Sequence, residues 1–298
     1  MGQTLQKFKK GELDFLPNCL LCGKDPGHFK PFSEKGGYQI VRCRGCGLVF
    51  VNPRDSEDVI LQQYRENQTS PIAYYQATRS VDSMNFGSLL DAVQNVLPRG
   101  RLLDIGCNVG TFLEAARGRG WSGEGVETNR KAHAICLQKS LPVTLGTFGK
   151  DLPPNLGETP FDWVAMNDTI EHFPDPRAAL QKAARILRAG GILSILTPNL
   201  KSVLGRVFQI KPKEHLFYFE PDTLLRMLVE TGFKVVRLEE WPRPRNVGAM
   251  HLGATFENPL WAAVSRFLSM SRLDAPVNLF LRTCFKEQIF ALAEKAAV

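Results

Sequence analysis

The chain has 298 residues, of which 44% are hydrophobic and 22% charged, enough for one large domain plus a small one and far from a disordered or fibrous composition. Its net charge of +7 permits a polyanionic partner, but no run of five or six basic residues concentrates it. No apolar run reaches the ~18 residues that would suggest a membrane span, and the polar opening from Met1 to Lys10 lacks a signal peptide's apolar core, so a cytoplasmic protein is expected.

Seven cysteines without a secretory signal point to metal or thiol chemistry rather than a disulfide scaffold. After a short lead-in (1–15), four of them form two C-x-x-C pairs, Cys19/Cys22 and Cys43/Cys46, each followed by a glycine that relieves the tight turn. Two such pairs wrap a tetrahedral zinc ion, and four thiolates leave no open coordination position, so the site should be structural. The segment has too little apolar material to build a core, and metal would supply the missing stability. His28, between the pairs, is expected to be a loop residue. Residues 38–42 and 48–51 read as strands flanking the second pair, which bounds a zinc-ribbon domain at 1–55.

Residues 56–98 read as an amphipathic helical linker interrupted at Pro71, carrying Tyr64, Tyr74 and Tyr75. Its place ahead of the next strand suits a lid, and ordinary packing helices are the plainer alternative. That strand opens Leu102–Leu113, in which Asp104, Gly106 and Gly110 set a D-x-G-x-x-x-G spacing at a strand–turn–helix junction. The glycines let backbone approach a ligand, and the helix N-terminus presents unpaired N–H groups. Asn108 stands where a dinucleotide fingerprint has its second glycine, and its bulk argues against a pyrophosphate there. Asp104 suits a ligand with an ammonium group. S-adenosylmethionine fits; an ordinary strand–turn–helix corner is the alternative.

The next strand, 123–127, ends in Glu127, an acid about 20 residues past the glycine turn, where a ribose diol would be held. A helix over 129–140 and a strand over 143–146 follow, with the loop 147–151 placed near an adenine. The strand 161–168 brings Asn167 and Asp168 to the same sheet edge as Asp104 and Glu127. A helix over 177–188, stopped by Gly190-Gly191, and a buried strand over 192–197 complete a doubly wound parallel sheet. Beyond it come a basic, apolar connector (201–212), the segment 214–219, a helix over 221–231 and a strand over 233–241. Proline and glycine punctuate 242–253, a helix is expected over 259–270, and 287–295 reads as helix or strand.

In this order the motifs resemble those of the class I S-adenosylmethionine-dependent methyltransferases, and of the subgroup with an N-terminal zinc ribbon, similar to sugar C-methyltransferases and ubiquinone-type methyltransferases. The residues that carry the resemblance are Cys46-Gly47-Leu48-Val49-Phe50-Val51-Asn52-Pro53, Leu103-Asp104-Ile105-Gly106-Cys107, Gly125-Val126-Glu127, Ile170-Glu171-His172-Phe173-Pro174-Asp175-Pro176, Leu196-Thr197-Pro198-Asn199, and Glu214-His215-Leu216-Phe217-Tyr218-Phe219 with Gly232-Phe233. Asn108 departs from the family's usual glycine.

The resemblance implies an α/β, Rossmann-like seven-stranded sheet in the order 3-2-1-4-5-7-6, its last strand antiparallel. That makes 287–295 a strand within a methyltransferase domain at 99–298 carrying an insertion at 242–286. It assigns Asp104, Gly106 and Gly110, with Cys107 and Asn108 in the same turn, to the methionine end. Glu127 falls to the ribose, and Asn167 with Asp168 to the pocket floor. Transfer to a hydroxyl or carbon acid needs a proton removed, and the candidates are His172, Glu214 and His215; His172 serves equally well as a loop-holding residue. His133 and His251 read as surface or packing residues. The acceptor is expected to be a small molecule, methylated at carbon or oxygen. RNA methylation, with the ribbon binding RNA, is the alternative, and Asn167-Asp168-Thr169-Ile170 disfavours N-methylation of a DNA base. A degenerate scaffold without turnover is the third reading, against which the intact Asp104, Gly106, Gly110 and Glu127 speak. Oligomeric state is left open.

Overall fold

The computed structural model describes residues 13–66, 72–150, 156–242, 259–271, 273, 276–277 and 286–296. Pro71, His251, Asp151, residues 1–12 and most of 242–286 lie outside them. In chain order the elements are β1 (Leu13–Asp14), β2 (Phe29–Lys35), β3 (Tyr38–Cys43), β4 (Val49–Val51), β5 (Arg54–Asp55), α1 (Glu57–Arg65) and α2 (Ile72–Gln94). There follow β6 (Arg101–Ile105), α3 (Thr111–Gly118), β7 (Ser122–Glu127), α4 (Arg130–Gln138), β8 (Val143–Leu145) and β9 (Phe161–Asn167). The remainder is α5 (Pro176–Ile186), β10 (Leu187–Pro198), α6 (Val203–Phe208), β11 (Phe217–Tyr218), α7 (Pro221–Glu230), β12 (Phe233–Trp241), α8 (Pro259–Met270) and β13 (Gln288–Lys295).

Seven strands form the central sheet in the order β12-β13-β10-β9-β6-β7-β8. β10, β9, β6, β7 and β8 pair in parallel, while β13 runs antiparallel to both β10 and β12. The expected strand order and the single reversed strand are therefore present. Alternate residues of each strand feed two cores, as the period of two requires. Leu103, Val164, Ile195 and Ala291 point to one face, with Leu224, Met227 and Leu228 of α7. Leu102, Trp163, Leu196 and Phe290 point to the other, against Leu89, Leu90 and Val93 of α2 and Phe112 of α3. Burial on both faces explains why 287–295 reads as helix on composition: a central strand has no polar side to alternate with.

One boundary differs from expectation. α5 stops at Ile186, and Leu187 already pairs with Phe161, ahead of a register shift before Ile192. Gly190 and Gly191 thus lie in an irregular stretch of β10, with Gly190 at φ +67°, rather than ending a helix.

The N-terminal segment builds its own antiparallel sheet in the order β11-β4-β3-β2. β3 and β4 are the expected strands; β2 and β11 were not anticipated. β2 is mostly exposed and interrupted by Pro31, so it shows little alternation. β11 arrives from the far side of the chain: Phe217 pairs with Phe50, Tyr218 with Val49, and the Val51 N–H donates to the Leu216 carbonyl at 2.9 Å. The Phe50 ring lies between Phe29 (5.0 Å) and Phe217 (6.1 Å), so the ribbon shares a packed interior with the segment after β10.

Candidate active site

The four ribbon cysteines converge. Zn–S bonds of about 2.3 Å place the sulfurs of a tetrahedral site about 3.8 Å apart. Cys19 and Cys46, and likewise Cys22 and Cys43, have Sγ atoms 3.5 Å apart, and all four sulfurs lie within 4.8 Å of one another. Gly23 and Gly47, at φ +73° and +83°, donate their N–H groups to the Cys19 and Cys43 carbonyls and close the two turns. Contact with Cys46 holds the Cys19 thiol down to about 5, the same contact pushes Cys46 up, and burial pushes Cys43 up. Four sulfurs at this spacing ionise together only around a cation, so the donor set fits structural zinc. His28 stands apart, bonded to Asp25 on an exposed turn.

At the carboxyl edge of the central sheet, β6 carries Asp104 one residue before its end and turns through Gly106 and Asn108 into α3. The two glycines are required by the protein itself. At Gly106 a Cβ would come 2.9 Å from Thr169 Oγ1, and at Gly110 one would collide with Leu141; both residues have positive φ. Asn108, the residue that breaks the family pattern, adopts φ +49°, a left-handed conformation asparagine tolerates. Its N–H donates to Glu127 Oε2 at 2.7 Å, and the Asn129 N–H donates to Oε1 at 2.6 Å. Glu127 therefore clamps the glycine turn to the start of α4. Burial raises its pKa, opposed by those N–H donors. Asp104 is buried beneath the turn, and burial, then the Glu127 charge, push it up to about 8, tempered by the nearby Asn167 side chain. The Asn167 amide N and O are both buried without a hydrogen-bond partner of good geometry. Asp168, at φ +47°, accepts from Gln288 of β13 at 2.9 Å.

Asp104, Gly106, Asn108, Glu127, Asn167 and Asp168 line one groove in two lobes that meet at Gly106, Asn108, Asp168 and Tyr75, whereas Gly110 lines neither lobe. Glu127, Thr147 and Phe148 lie in the first lobe, facing Tyr64, His172 and Glu214; Asp104, Cys107 and Asn167 lie in the second, facing Thr78, Asp82 and Phe86. Both α1 and α2 contribute walls, including Ile60, Leu61 and Ile72.

Of the three candidate proton-handling residues, His172 and Glu214 line the groove, while His215 is buried behind its wall. His172 Nδ1 is 2.7 Å from the Glu214 carbonyl and 2.6 Å from the Tyr64 hydroxyl. His215 Nδ1 is 2.8 Å from the Gln209 carbonyl, and the two imidazoles meet edge to face with centroids 4.9 Å apart. The Glu214 carboxylate is 3.8 Å from Lys211 Nζ. His133 Nε2 is 3.0 Å from the Val143 carbonyl, a packing role.

Against known proteins, a family model described as a methyltransferase domain matches residues 81–238, more than half of the chain. The chain belongs to the S-adenosylmethionine-dependent methyltransferases. It is 27% identical to an uncharacterised protein of Methanocaldococcus jannaschii over 157 residues, 51% of this chain and 73% of that protein. It is 30% identical to a ubiquinone biosynthesis O-methyltransferase of Thiobacillus denitrificans over 155 residues, 46% of this chain and 66% of the relative. With the corresponding protein of Alkalilimnicola ehrlichii it shares 31% identity over 166 residues, 54% of this chain and 65% of that one. The chain thus spans just under two thirds of the ubiquinone-type relatives. Among solved structures, a SAM-dependent methyltransferase of Archaeoglobus fulgidus superposes with a TM-score of 0.53 at 22% identity, over 74% of this chain and 99% of that one. One of Thermotoga maritima gives 0.50 at 22%, over 80% and 99%. These likenesses show the fold.

Sequence reasoning missed three parts of this methyltransferase's site. Glu171 is 1% exposed, its Oε2 accepts from Thr197 at 2.8 Å, and burial lifts its carboxyl to about 7. Tyr64 was singled out only as a lid residue, and Gln288 not at all. An acid directly before a histidine after a strand's carboxyl end was the available signal for Glu171; nothing local shows it turned inward.

Proposed function

We propose that the chain transfers a methyl group from S-adenosylmethionine to a small organic acceptor, at oxygen or carbon, inside the two-lobed groove. One observation carries this reading: the groove is walled by apolar side chains of α1 and α2 together with Tyr64 and Tyr75, which suits an organic molecule better than a polynucleotide. The likeness to ubiquinone biosynthesis O-methyltransferases supports oxygen as the acceptor atom.

Bound in this groove, S-adenosylmethionine supplies a sulfonium methyl open to in-line displacement. Glu127 retains acceptor capacity beyond its two backbone N–H donors and would hold the ribose hydroxyls, with Thr147 and Phe148 beside the base. Asp104, with Gly106, Cys107, Asn108 and Gly110 forming the turn and Asn167 and Asp168 the floor, would hold the amino acid end. The orphaned Asn167 amide is a buried polar group that a ligand's amine or carboxylate would satisfy. The sulfonium methyl needs no acid for its leaving group, so the protein's task is to position the acceptor and take its proton. The Tyr64–His172–Glu214 cluster, which lines the groove, would do so, with His215 supporting it from behind.

The test is binding. The full chain should bind S-adenosylhomocysteine and show no salt-dependent retention on immobilised RNA. Retention that falls steeply with salt, together with protection of the ribbon from proteolysis by RNA, would favour the RNA reading instead.

A further inference from the structure

The chain carries a net charge of +7, yet its groove is acidic. The residues lining the two lobes include Asp82, Asp104, Glu127, Asp168 and Glu214, and among the described residues no lysine or arginine lines either lobe. Two lysines next to lining segments stand in pairs of their own. Lys150, at the end of the loop that carries Thr147 and Phe148, is 3.3 Å from Glu57 and 3.7 Å from Asp58. Lys211 Nζ is 3.8 Å from the Glu214 carboxylate and offsets that one charge. On α2 the hydroxyl of buried Thr78 donates to Asp82 Oδ2 at 2.6 Å, and both residues line the lobe that holds Asp104. Asp104 itself is pushed up to about 8, by burial and then by the Glu127 charge, as a carboxyl is where nothing basic stands beside it.

The walls of a concave, poorly solvated site concentrate the field of the charges that line it. An anion entering this groove would give up its hydration and meet like charge with no cation to pair with, whereas a cation would be attracted. We propose that the groove admits a neutral or cationic acceptor and rejects carboxylates, phosphates and nucleotide-linked compounds, an inference that rests on the donor reading above. The donor's sulfonium and ammonium outweigh its carboxylate by a single charge, too little to reverse the sign of the lining. The same field favours a cation over a neutral group at the point where methyl and acceptor meet, so donor-site ligands can report it.

Sinefungin carries a protonated amine in place of the transferable methyl, and S-adenosylhomocysteine carries nothing there. In calorimetric titration of the full chain, sinefungin should bind at least about tenfold tighter. That margin should narrow in Asp82→Asn, in which Thr78 can still donate to the amide oxygen. Sinefungin binding no tighter than S-adenosylhomocysteine would overturn the proposal and leave the donor reading intact, whereas binding of neither would remove the donor reading and the proposal with it. Methyl transfer to catechols that differ in charge is the second measurement: kcat/KM for anionic protocatechuate should fall at least about tenfold below that for neutral methylcatechol or cationic dopamine. Protocatechuate methylated as fast as methylcatechol would also overturn the proposal. The wild-type ratio of the two donor-site ligands decides the sign by itself, even if Asp82→Asn fails to fold or none of the catechols is methylated.

Discussion

Asp104 and Glu127 are two buried carboxylates that repel each other across the glycine turn, an arrangement that costs the empty protein stability. Asp104 is the clearer case, with its pKa raised to about 8 by burial and then by Glu127. An acid whose folded pKa lies above its unfolded value stabilises the fold fully at pH below the unfolded value, and that contribution is lost as pH rises through about 8. The ligand-free protein should therefore melt at lower temperature as pH climbs through that range, and Asp104→Asn should flatten the dependence. Ligand affinity should move the other way. An ammonium group favours the ionised carboxyl, so S-adenosylhomocysteine binding should strengthen with pH by up to about tenfold per unit below the pKa. Calorimetric titration of wild type and Asp104→Asn across the range checks both signs; a wild-type affinity that stays flat with pH would remove Asp104 from the amine site. Asp104, Glu127 and the four cysteines were legible because strand ends and fixed spacings announce them. Glu171 and Gln288 were not, because their meaning lies in contacts with Thr197, His172 and Asp168, distant in the chain.

At the scale of elements, the ribbon is continuous with the site. From the four ribbon cysteines the sheet passes through β3 and β4 to β11, and the Leu216 N–H donates to the Glu171 carbonyl at 2.9 Å. Disabling the four-cysteine cluster should loosen that path first. Amide exchange in 214–219 and 171–172 should accelerate in Cys43→Ser or after chelation, while S-adenosylhomocysteine affinity changes less than about threefold (under 1 kcal/mol). Unchanged exchange there would show that the ribbon and site are uncoupled. Phe217, fully buried against Phe50 and Phe219, is the packing centre of the junction, and Phe217→Ala should cost about 3–5 kcal/mol in denaturant unfolding. The parallel strands were readable from their apolar runs and glycine turns. β11 was not, since two residues carry no period and its partner strand precedes it by more than 150 residues.

Across the whole molecule, the part that matches the family spans 81–238. It holds the strand ends that carry Asp104, Glu127, Asn167 and Asp168. The ribbon, α1 and the first turns of α2 lie before it, and they supply Tyr64, Ile60 and Tyr75 to the groove. Those strand ends thus lie inside the matched span, and Tyr64, Ile60 and Tyr75 lie outside it, so substitutions in this wall are the ones expected to change acceptor choice. The central claim is that the groove holds the methyl donor with Glu127 on the ribose. Its most direct test is calorimetric titration of S-adenosylhomocysteine into the full chain and into Glu127→Gln, with melting curves for both. The account predicts saturable binding by the wild type, and affinity at least about tenfold weaker (1.4 kcal/mol) in the variant, with cooperative melting retained. No binding by the wild type, or undiminished affinity in a folded Glu127→Gln, would contradict it.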